Sequence, residues 1–194
     1  MQLDVFFSYA CRDSYLVFAW LKQVEQEDVA LCINWRPFAI QMGNDPAYWQ
    51  NLWADANSER RGFMAASAAA AQGEPVFQRF HEALMRLVHE EHRELGDEQT
   101  LLGAAATAGL DIEQFQADWH NSHLGLQAFT SHREGREMYH VFGTPTLLFP
   151  DGQSIHLELS GVPVFAQAVM LWQTILTVAQ SQRVIRQIKR TTPV

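Results

Sequence analysis

Residues 3–9, L-D-V-F-F-S-Y, form a short and nearly continuous apolar run, as expected of a strand buried on both faces. After Asp13 and Ser14 the spacing changes. Leu16, Val17, Trp20, Leu21 and Val24 recur at helical intervals. Residues 29–38, V-A-L-C-I-N-W-R-P-F, are β-branched and aromatic, and Val29, Leu31, Ile33 and Trp35 alternate on one face. They predict a second strand that ends near Pro37. The opening segment is thus expected to form a βαβ unit.

From residue 46 to about 138 the strand pattern stops. The segment is rich in Ala, Leu, Gln and Glu, with breaks at 73–75, 96–97 and 109–111. Asp111 suits a helix N-cap, with Glu113 in the first turn, and the run A-A-S-A-A-A-A at 65–71 favours helix. Roughly four to six helices are expected here, without convincing internal repeats. Strand character returns at 144–149, T-P-T-L-L-F. The turn P-D-G-Q follows, and residues 154–159 answer as the return strand of a hairpin. Pro163 is expected to open a last helix whose apolar face is Phe165, Val169, Trp172, Ile175, Leu176 and Ala179. The predicted order is βαβ, a helical block, then ββα. Residues 1–45 and 139–182 would make one unit, 46–138 an inserted helical subdomain and 183–194 a basic tail.

Composition narrows the function. The 194 residues are 47% hydrophobic and 19% charged, enough for a substantial core. A net charge of −8 argues against general nucleic-acid binding. The positive cluster Arg183, Arg186, Lys189 and Arg190 reads as a solvated helix end. The first residues lack the pattern of a signal peptide, and no apolar run is long enough to cross a membrane. Two cysteines, Cys11 and Cys32, do not make a disulfide framework. The expectation is a cytoplasmic protein with reduced thiols, bound neither to membrane nor to nucleic acid.

The element order is the thioredoxin arrangement with a helical insertion. In that layout the end of the first strand delivers Cys11 to the N-terminus of the first helix, where unpaired amides and the helix dipole favour an anion. Thiolate is the nucleophilic form of cysteine. Arg12 would assist it, Asp13 would oppose it, and Ser14 is placed to donate a hydrogen bond.

S-Y-A-C-R-D-S-Y-L resembles the D-x-x-C-P-W-C-Y segment of the DsbA family, particularly its cytosolic FrnE-like branch. I-N-W-R-P-F, residues 33–38, is similar to that branch's E-W-R-P-F strand. F-G-T-P-T-L-L-F-P-D-G-Q, residues 142–153, is similar to its G-x-P-T-x-V segment, above all in the mycothiol-dependent nitroreductases. The resemblance implies a DsbA-like α/β thioredoxin fold and a cis-proline, Pro145, facing the cysteine. X-Pro is the one bond at which cis is inexpensive. It also implies that Thr144 offers backbone groups to a bound thiol or peptide.

One departure changes the chemistry. The family's C-x-x-C is C-x-x-S here, Cys11 to Ser14. The missing second thiol is the one that resolves a mixed disulfide. Cys32, mid-strand among apolar residues, reads as an inert buried hydrophobe. Three functions stay open. Cys11 attacks a disulfide or electrophile, small-molecule or protein, and is released by an outside thiol such as glutathione, mycothiol or bacillithiol. Alternatively, the helix N-terminus binds a thiol cofactor's thiolate, with Ser14 or Cys11 as hydrogen-bond donor, as in the kappa-class glutathione transferases and 2-hydroxychromene-2-carboxylate isomerases that this arrangement would resemble. The third is a binding protein that has kept the fold and lost the chemistry. A homodimer is compatible with each.

Other candidates carry less. H-E-E-H (89–92) and H-N-S-H (120–123) put histidines at i and i+3, but without a third ligand they read as solvated helix faces, and no metal is expected. His140, five residues before Pro145, is placed to border the groove. Trp35, Arg36 and Phe38 follow the second strand, and Trp49 and Trp53 lie four apart. They would pack the insertion on the core or wall an aromatic substrate.

Overall fold

In the computed structural model, which describes residues 1–27, 29–39 and 58–181 (backbone alone at Ser122), the first strand is β1, Gln2–Phe7. It runs parallel to β2, Cys32–Pro37, in the register Leu3 with Ile33 and Phe7 with Pro37. On its other side β1 pairs antiparallel with β3, Thr146–Leu148, which pairs antiparallel with β4, Ser154–His156. The sheet order is β2-β1-β3-β4. This is the DsbA-like thioredoxin fold expected from the sequence, with a helical block between β2 and β3.

Seven helices are described. The first, α1 (Arg12–Gln26), connects β1 to β2. Five lie between β2 and β3: α2 (Ser58–Ala71), α3 (Glu74–His89), α4 (Glu98–Ala108), α5 (Ile112–Trp119) and α6 (Ser122–Glu137). The last, α7 (Phe165–Gln180), follows β4. Their boundaries fall at the punctuation in the sequence. Pro75 sits in the first turn of α3, Asp97 caps α4 through Thr100 N, and Gly109 ends α4 in the left-handed conformation. Asp111 then caps α5 by accepting from Gln114 N at 3.0 Å.

The pleat of β1 sorts the core. Leu3, Val5 and Phe7 point to one face and join Ile33, Trp35, Leu147 and the buried faces of the helices in one large cluster. Phe6 points to the other face, where Phe38, Val141 and Leu148 form a second cluster beneath α6. Gly135 of α6 lets that helix approach closely, since a Cβ there would lie 2.9 Å from the Phe6 ring. Helix α7 packs along α1, where buried Trp20 donates from Nε1 to Ala168 O at 3.0 Å.

Some expectations are corrected. Cys32 is exposed, not buried. It shares its face of β2 with exposed Asn34, at the end of the strand away from the α6 contacts of Arg36 and Phe38. The last helix begins at Phe165, so Pro163 lies before it and Phe165 is 46% exposed. In H-E-E-H the helix ends at His89, and His92 turns out with φ +56°, so the two histidines do not share a helix face. His89 is also half-buried, not solvated. The strands are shorter at their ends than the apolar runs, because pairing partners run out before apolar character does. Trp49, Trp53 and the tail cations lie outside the described residues.

Candidate active site

β1 ends at Phe7, and a turn of three residues brings Cys11 to the N-cap of α1 in an extended conformation. Its amide donates to Ser8 O at 3.1 Å, and its carbonyl accepts from Tyr15 N at 3.2 Å, the first hydrogen bond of the helix. An N-cap side chain normally turns back to the helix amides. Cys11 makes no such bond; its thiol instead donates to the carbonyl oxygen of Thr144 at 3.2 Å.

Thr144 arrives because β3 pairs with β1, which sets residue 144 beside the end of the first strand. The Thr144–Pro145 peptide is cis. Its loop is fixed by groups that the sequence reading missed. His156 Nδ1 lies 2.9 Å from Pro145 O, Thr146 Oγ1 donates to Gly143 O at 2.8 Å, and Leu157 N donates to Pro145 O at 3.1 Å. A Cβ on Gly143 would sit 2.9 Å from His156 Cε1, so only glycine permits this approach. Thr144 is buried, and its Oγ1 has no hydrogen-bond partner among the described residues.

Ser14 is fully buried in the first turn of α1, and its Oγ accepts from Ser8 N at 3.2 Å. Ser8 is a hub. Its hydroxyl accepts from Ala10 N at 3.1 Å and donates to the carboxylate of Glu59, from the first turn of α2. Burial raises the Glu59 pKa, and the Ser8 hydrogen bond partly offsets that rise.

Tyr9 anchors the same turn from below. Its ring is fully buried, and burial raises its hydroxyl pKa well above the ordinary range. The hydroxyl lies 3.1 Å from His81 Nδ1, and the Tyr9 carbonyl lies 2.9 Å from His89 Nε2. Burial, assisted by Lys22, pushes the His81 pKa down to about 3, so the ring is neutral. His89 stacks on Tyr15, and burial lowers its pKa against the upward pull of the Tyr9 bond.

The other sequence candidates separate. Arg12 is exposed beside Cys11. Trp35 is buried and stacks on His81 with centroids 4.5 Å apart, so it forms core and does not wall an open groove. His140 is exposed with φ +53° and makes no hydrogen bond or ion pair among the described residues. Cys32 pairs with Gln2, at the opposite end of β1 from Cys11, about 16 Å away along the strand. It cannot resolve a disulfide on Cys11 of the same chain. Among the described residues, no group of three metal-ligating side chains occurs, and no helix is long and apolar enough to cross a membrane.

A family profile described as the DSBA-like thioredoxin domain matches residues 2–170. The chain belongs to the DSBA-like thioredoxin domain family. This is a family of thiol-dependent oxidoreductases. Among solved structures, the chain is similar to the cytosolic disulfide reductase DsbM from Pseudomonas aeruginosa, with 18% identity and a TM-score of 0.62 over 92% of this chain and 100% of that one. The same DsbM with GSH aligns with 16% identity and a TM-score of 0.63 over 91% of this chain and 100% of that chain. A thioredoxin-like oxidoreductase from Silicibacter pomeroyi aligns with 18% identity and a TM-score of 0.62 over 93% and 87% of the respective chains. At these identities the likeness is one of fold. No curated protein matches the sequence significantly.

Proposed function

We propose that this protein is a cytoplasmic thiol-disulfide oxidoreductase of the FrnE-like kind that works through one thiol, Cys11, with an outside low-molecular-weight thiol as co-reactant. The observation that carries this reading is the position of Cys11. It stands at the head of a fifteen-residue helix with its sulfur 3.2 Å from Thr144 O, has a buried serine where the resolving cysteine would stand, and has its fellow cysteine at the far end of the sheet.

The chemistry balances as two exchanges. The Cys11 thiolate attacks one sulfur of a disulfide, forms a mixed disulfide and expels the other sulfur as a thiolate. An outside thiolate then attacks the mixed disulfide on the substrate-derived sulfur. Cys11 leaves as thiolate, and the new disulfide joins substrate and outside thiol. The unpaired amides at the start of α1 favour each anionic form of Cys11. Thr144, whose carbonyl meets the sulfur, and Pro145 after it would hold the incoming partner, with the Thr144 hydroxyl, unpartnered among the described residues, as a polar contact. Arg12 would attract an anionic thiol. The GSH seen with DsbM makes glutathione the first outside thiol to try; mycothiol and bacillithiol are the alternatives.

The burial of Ser14, and the engagement of its oxygen with Ser8 N, favour this reading over a thiol-cofactor transferase in which Ser14 would meet the cofactor. Incubation with oxidised glutathione followed by peptide mass spectrometry is the test. A reducible adduct on Cys11 supports the proposal. Tight binding of reduced glutathione without any adduct would point to the transferase.

A further inference from the structure

We propose that Glu59, an acid of the helical block, is a positioning residue for Cys11: acting through the Ser8 hydroxyl, its state of ionisation sets how readily the thiol reacts. This rests on Cys11 being the reactive group.

Ser8 uses every polar atom on the turn. Its carbonyl holds the Cys11 amide, its amide holds Ser14 Oγ, and its hydroxyl holds the Ala10 amide. The hydroxyl hydrogen is spent on Glu59. The carboxylate therefore selects the Ser8 rotamer that aims an oxygen lone pair at Ala10 N, which fixes the two residues on which Cys11 hangs. It also sets a half-buried negative charge one hydrogen bond from Ser8, the residue whose carbonyl holds the Cys11 amide. Like charges disfavour one another, and more so where water is excluded. An ionised Glu59 restrains the thiolate, and a neutral one releases it.

The other charged and titratable groups on the elements that meet the turn are Arg12 and Asp13 on α1, Tyr9 and its partner His81, His89 and Glu90 at the end of α3, and Arg60 and Arg61, which follow Glu59 on α2, with Arg61 over the Trp119 ring. Asp13 is held away by accepting from Leu159 N at 3.3 Å, and Glu90 accepts from Tyr15. The influences on Glu59 itself are burial, which raises its pKa, and the Ser8 bond, which lowers it. His89 and His81 also touch the turn, at the Tyr9 carbonyl and the Tyr9 hydroxyl.

The test is the rate of iodoacetamide alkylation of Cys11 from acid to mildly alkaline pH, in the full chain carrying Cys32→Ser. The expected profile has a lower inflection besides the one for the thiol. Glu59→Gln keeps the size and the acceptor oxygen but cannot ionise, so the lower inflection should vanish and alkylation at neutral pH should quicken by roughly three- to tenfold. Ser8→Ala leaves the carboxyl without its bond, so the lower inflection should move to higher pH. It also provides the readout if Glu59→Gln does not fold. Profiles for both variants that superimpose on the parent, apart from any change in stability, would overturn the proposal. So would a lower inflection that survives Glu59→Gln and vanishes in His89→Gln. The Glu59 inflection is readable whether or not Cys11 forms a glutathione adduct, so failure of the functional reading and failure of this one are separate results.

Discussion

The thiol of Cys11 donates to the carbonyl oxygen of Thr144 across 3.2 Å and 133 residues of sequence. Both ends of that contact are set by strand pairing, since β1 ends at the cysteine turn and β3 begins beside it. Four contacts hold the Thr144 side: the Gly143 approach to His156, the His156 contact to Pro145 O, the Leu157 amide bond to Pro145 O and the Thr146 bond to Gly143 O. Gly143→Ala should therefore displace His156 and move Thr144 away from the sulfur. The expected cost is about 1–3 kcal/mol in stability, read by denaturant midpoint, together with slower adduct formation at Cys11.

Ser14→Cys restores the second thiol of the motif. A disulfide between residues 11 and 14 should then form under mild oxidation, and a glutathione adduct on Cys11 should be released without added thiol. Counting free thiols and following the adduct by mass spectrometry check this. The new residue also loses the oxygen that accepts from Ser8 N, which should cost about 0.5–1.5 kcal/mol.

Cys32→Ser should do neither. The side chain is exposed on the outer face of β2, so stability should stay within about 0.5 kcal/mol and Cys11 reactivity should not change. Equilibrium unfolding and Cys11 alkylation measure the two.

Much of this site was legible in the order of elements. The C-x-x-S turn, the proline loop and the P-D-G-Q hairpin are local signals, and each lies where its spacing put it. Cys32 was misjudged although the signal was present: Val29, Leu31, Ile33 and Trp35 mark the inner face, which leaves Cys32, Asn34 and Arg36 on the other. Whether that other face is covered depends on α6, a helix about a hundred residues away, which reaches Arg36 but not Cys32. The supports of the turn were not legible at all. Glu59 from α2 and His81 and His89 from α3 converge on it, His156 of β4 fixes the facing proline loop, and nothing local in the sequence marks a histidine that will meet a carbonyl eighty residues earlier.

His81 gives a pH signature. Its folded pKa, about 3, lies below the unfolded value near 6.5. Above the unfolded value both states bind no proton there and the core contribution is fully present. As the pH falls from about 6.5 toward 3 the unfolded state gains a proton that the folded state refuses, so stability is lost at up to about 1.4 kcal/mol per pH unit from this group. The denaturant midpoint should drop on acidification through that window, with a shallower slope in His81→Gln, which cannot titrate and still offers Tyr9 an acceptor.

The central claim is that one thiol does the chemistry and an outside thiol completes it. Peptide mass spectrometry after incubation with oxidised glutathione tests it most directly. The account predicts a mixed disulfide on Cys11 and none on Cys32, released by added reduced glutathione with full return of the free thiol. An adduct on Cys32 alone, or no adduct on either cysteine, would contradict it.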